Sequence, residues 1–266
     1  MDASLENEKG IAMEVLKAVS VSKNFGGVSA VDQFAMVQPE NEITGIIGPN
    51  GAGKTTVFNL ITGVYPLDSG EIWFYGQNIT GLPSHRITDL GITRTFQNIR
   101  LFKNLNVLDN LRVAYGVKVR YTTWEEMIRW PRVKREEEKT QELAKTYLAY
   151  FGLEKYGDMY PYNLPYGLQR RLELARALMA NPKLLLLDEP AAGLNPKEIH
   201  QLIETLLKIK EEKNLSIIIV EHHMELVMNI CKMLYVLNFG KKIAEGEPKD
   251  IQHNEVVLQA YLGDEG

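Results

Sequence analysis

The sequence has a single cysteine, Cys231, among 266 residues. No disulfide can form within the chain, and a reducing, cytoplasmic compartment is expected. Cys231 itself lies in an apolar stretch and reads as core. Long hydrophobic runs are also missing. None reaches the roughly 18 residues needed to cross a bilayer. Runs such as Leu184–Leu187 and Ile217–Val220 suit short buried strands. Positive charge is not in excess: 30 Lys and Arg against 34 Asp and Glu leave a net charge of −4. That balance argues against a nucleic-acid partner, which calls for a basic face. Met1–Gly10 is polar and acidic, so it does not read as a secretory signal. There is no internal repeat and no low-complexity segment. The length suits one large domain, or one domain with a subdomain.

What is present begins with Gly48-Pro49-Asn50-Gly51-Ala52-Gly53-Lys54-Thr55-Thr56, a match to G-x-x-x-x-G-K-[ST]. Glu42–Ile47 before it is apolar and β-branched and reads as a strand. Thr55–Thr62 after it reads as the start of a helix. The order has a physical purpose. Glycines let backbone N–H groups turn toward phosphate oxygens, and the helix N-terminus adds a favourable dipole. Lys54 then reaches the β- and γ-phosphates, and the Thr55 hydroxyl sits on Mg²⁺.

The rest of the chain falls into three parts. Met13–Ser22, Val28–Val37 and Gly70–Gly76 read as strands, with a turn at Phe25-Gly26-Gly27, so the first third is β-rich with one helix after the phosphate loop. Val107–Tyr115 and Arg135–Phe151 carry apolar residues at helical spacing. Their charge run, with Lys134 and Glu138 four apart, reads as a solvated face. Trp124, Met127 and Trp130 just before it read as packing onto this helical region. The last hundred residues alternate: helix Leu168–Ala180, strand Leu184–Leu187, helix Pro196–Lys213, strand Leu215–Val220, helix His223–Cys231 and a strand pair at Leu234–Leu237 and Lys242–Ala244. Such alternation predicts a parallel sheet in an α/β fold.

Two strand ends carry further chemistry. Leu184–Leu187 runs into Asp188-Glu189-Pro190, placing acids at the carboxyl end of a buried strand, where open α/β sheets bind ligands. Asp188 is placed to hold Mg²⁺. Glu189 points elsewhere and can polarise an attacking water as general base. Ile217–Val220 likewise ends in Glu221-His222, and His222 at that edge can sense a γ-phosphate.

The ordered set Gly48–Thr56, Gln97, Tyr166-Gly167-Leu168-Gln169-Arg170-Arg171, Leu184–Glu189 and His222 resembles the ATP-binding subunits of ABC transporters, from about Met13 to the end of the chain. The resemblance implies a P-loop core with a mostly parallel sheet, an antiparallel β subdomain and an inserted α-helical subdomain. The expected boundaries are an extension over 1–12, core over 13–105, helical subdomain over 106–165 and core again over 166–266. It further implies that Phe25 stacks on adenine, that Gln97 touches Mg²⁺ and links to the membrane subunit, and that Ala192-Gly193-Leu194-Asn195 meets the partner ATPase. Tyr166, Gly167, Leu168 and Gln169 then face the ATP of that partner. Three departures from the family pattern stand out: Pro165 replaces the signature serine, Asn195 replaces an aspartate, and His223 follows His222 where an aspartate is common.

Arg94-Thr95-Phe96-Gln97-Asn98-Ile99-Arg100-Leu101-Phe102, Asp188–Pro196 and the Ala260–Gly263 ending look like the larger ATPase subunit of branched-chain amino acid importers. That resemblance implies ATP and Mg²⁺ as ligands and a head-to-tail pair of ATPases, either two copies of this chain or this chain with a related one. It also implies permease subunits, an extracytoplasmic solute-binding protein and a peripheral place on the cytoplasmic face of the membrane. Transport of urea or short amides, lipopolysaccharide export, a soluble ABC ATPase and a non-catalytic regulatory subunit remain alternatives at this level.

Overall fold

The computed structural model describes residues 13–95, 97, 99–116 and 131–262. Trp124, Met127 and Trp130 lie outside the described residues. The strands are β1 (Glu14–Phe25), β2 (Val28–Pro39), β3 (Ile43–Ile47), β4 (Ser69–Phe74), β5 (Gln77–Asn78), β6 (Ile92–Arg94), β7 (Leu184–Asp188), β8 (Ser216–Val220), β9 (Met233–Asn238) and β10 (Lys241–Gly246). They form two sheets. One is four-stranded and antiparallel in the order β2-β1-β4-β5, and the other is six-stranded in the order β10-β9-β3-β8-β7-β6. In the larger sheet every pairing is parallel except β10 with β9. This is the expected α/β architecture.

The parallel strands are buried on both faces, and alternate residues serve different cores. Leu185 and Leu187 join Ile217 and Ile219 in one core, against helices Tyr166–Met179 and Pro196–Lys213. Leu184 and Leu186 join Ile218 and Val220 in the other, with Phe58 and Ile61 of helix Lys54–Ile61 and with Leu16 and Phe34 of the antiparallel sheet. The uninterrupted apolar runs therefore reflect two-sided burial, and Cys231 is buried in the first core. Burial pushes its thiol well above the usual range.

Several boundaries differ from expectation. The first third holds a second helix, Ser84–Leu90, which leads into the short edge strand β6. Seven residues behind Pro83 show too little periodicity to stand out, and a three-residue strand gains its identity from pairing with β7. Helices Pro248–Gln252 and Glu255–Leu262 follow the last predicted strand. Helices Val107–Gly116, Pro131–Tyr150 and Tyr166–Met179 pack on one another, and Lys134 pairs with Glu138 at 3.9 Å on an exposed face as the spacing predicts.

The helix that follows the loop after β7, Pro196–Lys213, starts with a full capping box. Asn195 Oδ1 accepts from the Glu198 N–H at 3.0 Å, and Glu198 Oε2 accepts from the Asn195 N–H at 3.0 Å. Asparagine caps a helix about as well as aspartate, which accounts for Asn195 at its position. Replacing Asn195 by alanine is expected to cost about 1 kcal/mol, while Asn195→Asp should cost far less. Urea unfolding midpoints check this, and equal midpoints for the two variants would refute the capping role.

Candidate functional site

The phosphate loop leaves β3 at Ile47 and enters helix Lys54–Ile61. Two of its glycines cannot be replaced by any residue with a side chain. Gly48 has φ +148°, and a Cβ there would stand 2.0 Å from the Leu237 carbonyl oxygen. Gly53 has φ +103°, and its Cβ would stand 2.4 Å from the Ala30 oxygen. The helix begins at Gly53 without a capping side chain, so its first N–H groups are open to an anion. Lys54 is only 7% exposed, and its Nζ donates to the Gly48 and Pro49 carbonyls at 2.6 and 2.8 Å. Burial pushes its ammonium below the usual lysine range, against the pull of Glu189, Asp188 and Glu221.

An open cleft of about 510 Å³ lies over this loop. Its walls are Asn50–Thr56 on one side, Val28, Ser29 and Ala30 on another, and Gln97, Glu189 and Phe239 at the rim. The sequence-predicted residues Asn50, Gly51, Ala52, Gly53, Lys54, Thr55, Thr56, Gln97 and Glu189 are thus brought together. Phe25 is not in that wall. It is 42% exposed at the end of β1 and packs edge-on against Tyr65, with ring centroids 5.1 Å apart.

The acids sit at the ends of the neighbouring strands, as predicted. Asp188 is 1% exposed, and its Oδ2 accepts from Arg94 Nη2 at 2.7 Å. Its other oxygen, Oδ1, is buried with no hydrogen-bond partner. A buried carboxylate oxygen in that state calls for a ligand. An all-oxygen donor set of Asp188, Thr55 and the Gln97 amide suits a hard cation such as Mg²⁺. Glu189 has a left-handed backbone, φ +47°. Its Oε2 accepts from Gln97 Nε2 at 2.9 Å, and its Oε1 stands 4.0 Å from His222 Nδ1. Asp188 and Glu189, though adjacent, therefore face different partners.

Three residues with structural hold on the site carry no role in the motif pattern. Arg94 bridges Asp188 and the Asn59 side chain. Glu221 is fully buried, and its carboxylate accepts N–H groups from Ala191 at 2.7 Å, His222 at 2.8 Å and His223 at 3.0 Å. It ties the loop after Glu189 to the loop carrying His222. Its signal in the sequence is an acid directly after a buried strand, the same signal that marks Asp188. Arg170 is buried beneath the Asp188–Pro190 backbone.

The signature residues are not among those lining this chain's own cleft. Pro165 stands at the N-cap of helix Tyr166–Met179, and its carbonyl accepts from the N–H groups of Leu168 and Gln169 at 3.0 and 3.1 Å. The helix thus begins two residues earlier than predicted, at Tyr166. A proline there loses no helical hydrogen bond. Gln169 Nε2 donates back to the Leu164 carbonyl at 2.9 Å. Tyr166 lies against Gly193, where a Cβ would meet its ring at 2.9 Å, and Gly167 lies against Glu198. Ala192, Gly193 and Leu194 form the turn between Glu189 and the Asn195 cap.

A glycine-lined anion cradle at the end of a parallel strand, flanked by two strand-end acids, defines a P-loop nucleotide-binding protein. The family model for ABC transporters matches residues 31–192. A second model, for the branched-chain amino acid ATP-binding cassette transporter, matches residues 241–266. The high-affinity branched-chain amino acid transport ATP-binding protein LivG of Salmonella typhimurium is 40% identical over 254 residues, covering 96% of this chain and 100% of that protein. BraF of Pseudomonas aeruginosa, described in the same words, is 41% identical over 250 residues, covering 94% and 98%. The solved ADP conformation of an ATP-binding cassette of an ABC transporter superposes with a TM-score of 0.82 at 32% identity, covering 94% of this chain and 99% of that one. The chain belongs to the ABC transporter family and is one of its ATPases.

Glu221→Gln keeps the shape of the buried side chain but turns an NH₂ toward N–H donors. One or more of those donors loses its acceptor, at an expected cost of about 1–3 kcal/mol. A lower urea midpoint together with slower ATP turnover is the expected outcome, and an unchanged midpoint would exclude Glu221 as the tie between the two loops.

Proposed function

We propose that this chain is the ATP-hydrolysing subunit of an importer of branched-chain amino acids, working at the cytoplasmic face of the membrane through separate permease subunits. The observation that carries the hydrolytic part is the placement of Glu189. Its carboxylate stands at the rim of the phosphate cleft, between the Gln97 amide and the His222 ring. The substrate class rests on the names of the relatives and on the match over residues 241–266.

In this reading ATP lies over Gly48–Thr56. The open N–H groups of the loop and helix bind its phosphates, and Lys54 leaves the Gly48 and Pro49 carbonyls to pair with them. Mg²⁺, when bound, neutralises phosphate charge, with Thr55, Gln97 and Asp188 to hold it. Glu189 takes the proton of the attacking water, and His222 meets the γ-phosphate. Phe25 supplies a stacking face for adenine from the end of β1. Catalysis of this kind is mostly positioning and charge neutralisation.

The signature residues Tyr166, Gly167, Leu168 and Gln169 are not among those lining their own cleft, which supports a second ATPase subunit packed head to tail. Ala192–Asn195 then lie at the contact between the two. Helices Val107–Gly116 and Pro131–Tyr150 belong to the helical arm. A groove of about 260 Å³ between β6 and this arm is lined by Thr93, Thr95, Phe102, Val113 and Arg176. Phe102 and Val113 are each nearly half exposed there, which supports the groove as the seat for a helix of the permease. A solute-binding protein outside the membrane delivers the amino acid.

Glu189→Gln should lower ATP turnover by about 100-fold or more, with ATP binding retained. Turnover at the unmodified rate would remove Glu189 as the base. For the substrate, the chain co-expressed with its membrane subunits and binding protein should support ATP-dependent leucine uptake into proteoliposomes. Uptake of urea with no uptake of leucine would overturn the branched-chain assignment.

A further inference from the structure

We infer that Arg170 is a positioning residue that holds Glu189 in its working orientation and makes that orientation depend on the signature helix. The inference rests on the hydrolytic reading above. Arg170 belongs to helix Tyr166–Met179, one turn from its N-terminus, and is 2% exposed. Its guanidinium does not turn outward to a partner subunit. It runs under the loop after β7, where Nη2 donates to the carbonyls of Asp188, at 3.0 Å, and Glu189, and Nε donates to the Pro190 carbonyl at 3.3 Å. Three consecutive carbonyls are therefore gathered on one planar fork, which a lysine ammonium cannot reproduce.

The middle residue of those three is Glu189, whose backbone is left-handed at φ +47°. That conformation is costly for a residue with a side chain and persists only where neighbours enforce it. The Arg170 fork is such a neighbour. Glu173, one turn along the same helix, is equally buried. Its Oε2 accepts from Arg170 Nη1 at 2.7 Å, and its Oε1 accepts from the Arg100 N–H at 3.3 Å. Burial raises the Glu173 carboxyl, with Arg170 drawing it back down. The pair thus joins the signature helix, the Glu189 loop and the segment following Gln97. A shift of the signature helix on meeting a partner's nucleotide would move the backbone that aims Glu189 in the same chain's own cleft.

The test uses Arg170→Lys, Arg170→Met and the double variant Arg170→Met/Glu173→Leu in the full chain. The double variant removes both members of the buried Arg170–Glu173 pair and keeps the experiment open if Arg170→Met fails to fold. ATP affinity by fluorescent-nucleotide titration and single-turnover hydrolysis are measured separately on protein with a cooperative unfolding transition. The expected result for the double variant is hydrolysis at least tenfold slower with ATP affinity within twofold of the unmodified chain, and no rescue by Arg170→Lys. Hydrolysis at the unmodified rate in the folded double variant would overturn the inference, and so would proportional loss of affinity and rate. If the unmodified chain with its partners does not hydrolyse ATP, the hydrolytic reading fails instead, and the two failures are distinct.

Discussion

The parallel register of β3, β8 and β7 is the constraint on which the rest of this structure depends. Ile46 pairs with Val220, and Val220 pairs with Asp188, so three buried strands end level with one another. Everything with chemical use follows within a few residues of that line: the phosphate loop after β3, Asp188 and Glu189 at the end of β7, Glu221 and His222 after β8. Parallel pairing puts all carboxyl ends on one edge, and the helices covering both faces leave that edge as the place where polar groups can meet a ligand. A slip of one residue would carry Leu185 and Leu187 to the opposite core and lift the acids out of line.

Behind this edge the protein buries more charge than a stability argument would recommend. Arg94 with Asp188, Arg170 with Glu173, and Glu221 among three N–H groups are all nearly inaccessible to water. Buried ion pairs bring little net stability, because desolvation offsets most of the attraction. Their effect here is geometric. Each fixes a backbone segment or a carboxylate that faces the cleft, and each is satisfied by hydrogen bonds on several sides. Asp188 Oδ1, by contrast, is buried without a hydrogen-bond partner and is open to a further ligand.

Two departures from the usual family pattern have local explanations, while nothing in the structure explains His223. Pro165 cannot offer a hydroxyl or an N–H, yet its carbonyl starts the signature helix and its own N–H is not missed. Asn195 caps the following helix as an aspartate would. Neither change disturbs the backbone that carries Tyr166–Gln169 or Ala192–Leu194. The two segments also touch, Tyr166 against Gly193, so they present a single face of the chain.

The sequence by itself determined the phosphate loop, because Gly48 and Gly53 sit where only glycine fits and Lys54 follows at fixed spacing. It likewise determined the buried strands, through unbroken apolar runs, and the acids at their ends. It did not determine the short helix Ser84–Leu90 or strand β6, whose few residues have no period of their own and exist by pairing with β7. Nor did it assign a role to Arg94, Arg170 or Glu221, since charged residues gain such a role only from contacts made 94, 18 and 30 positions away along the chain. Only the tertiary structure decided that Gln97 and His222 flank Glu189, and that Tyr166–Gln169 are not among the residues lining their own cleft. The physical reason is that local pattern sets which face of an element is buried, whereas the long-range packing of one element on another sets which polar groups meet.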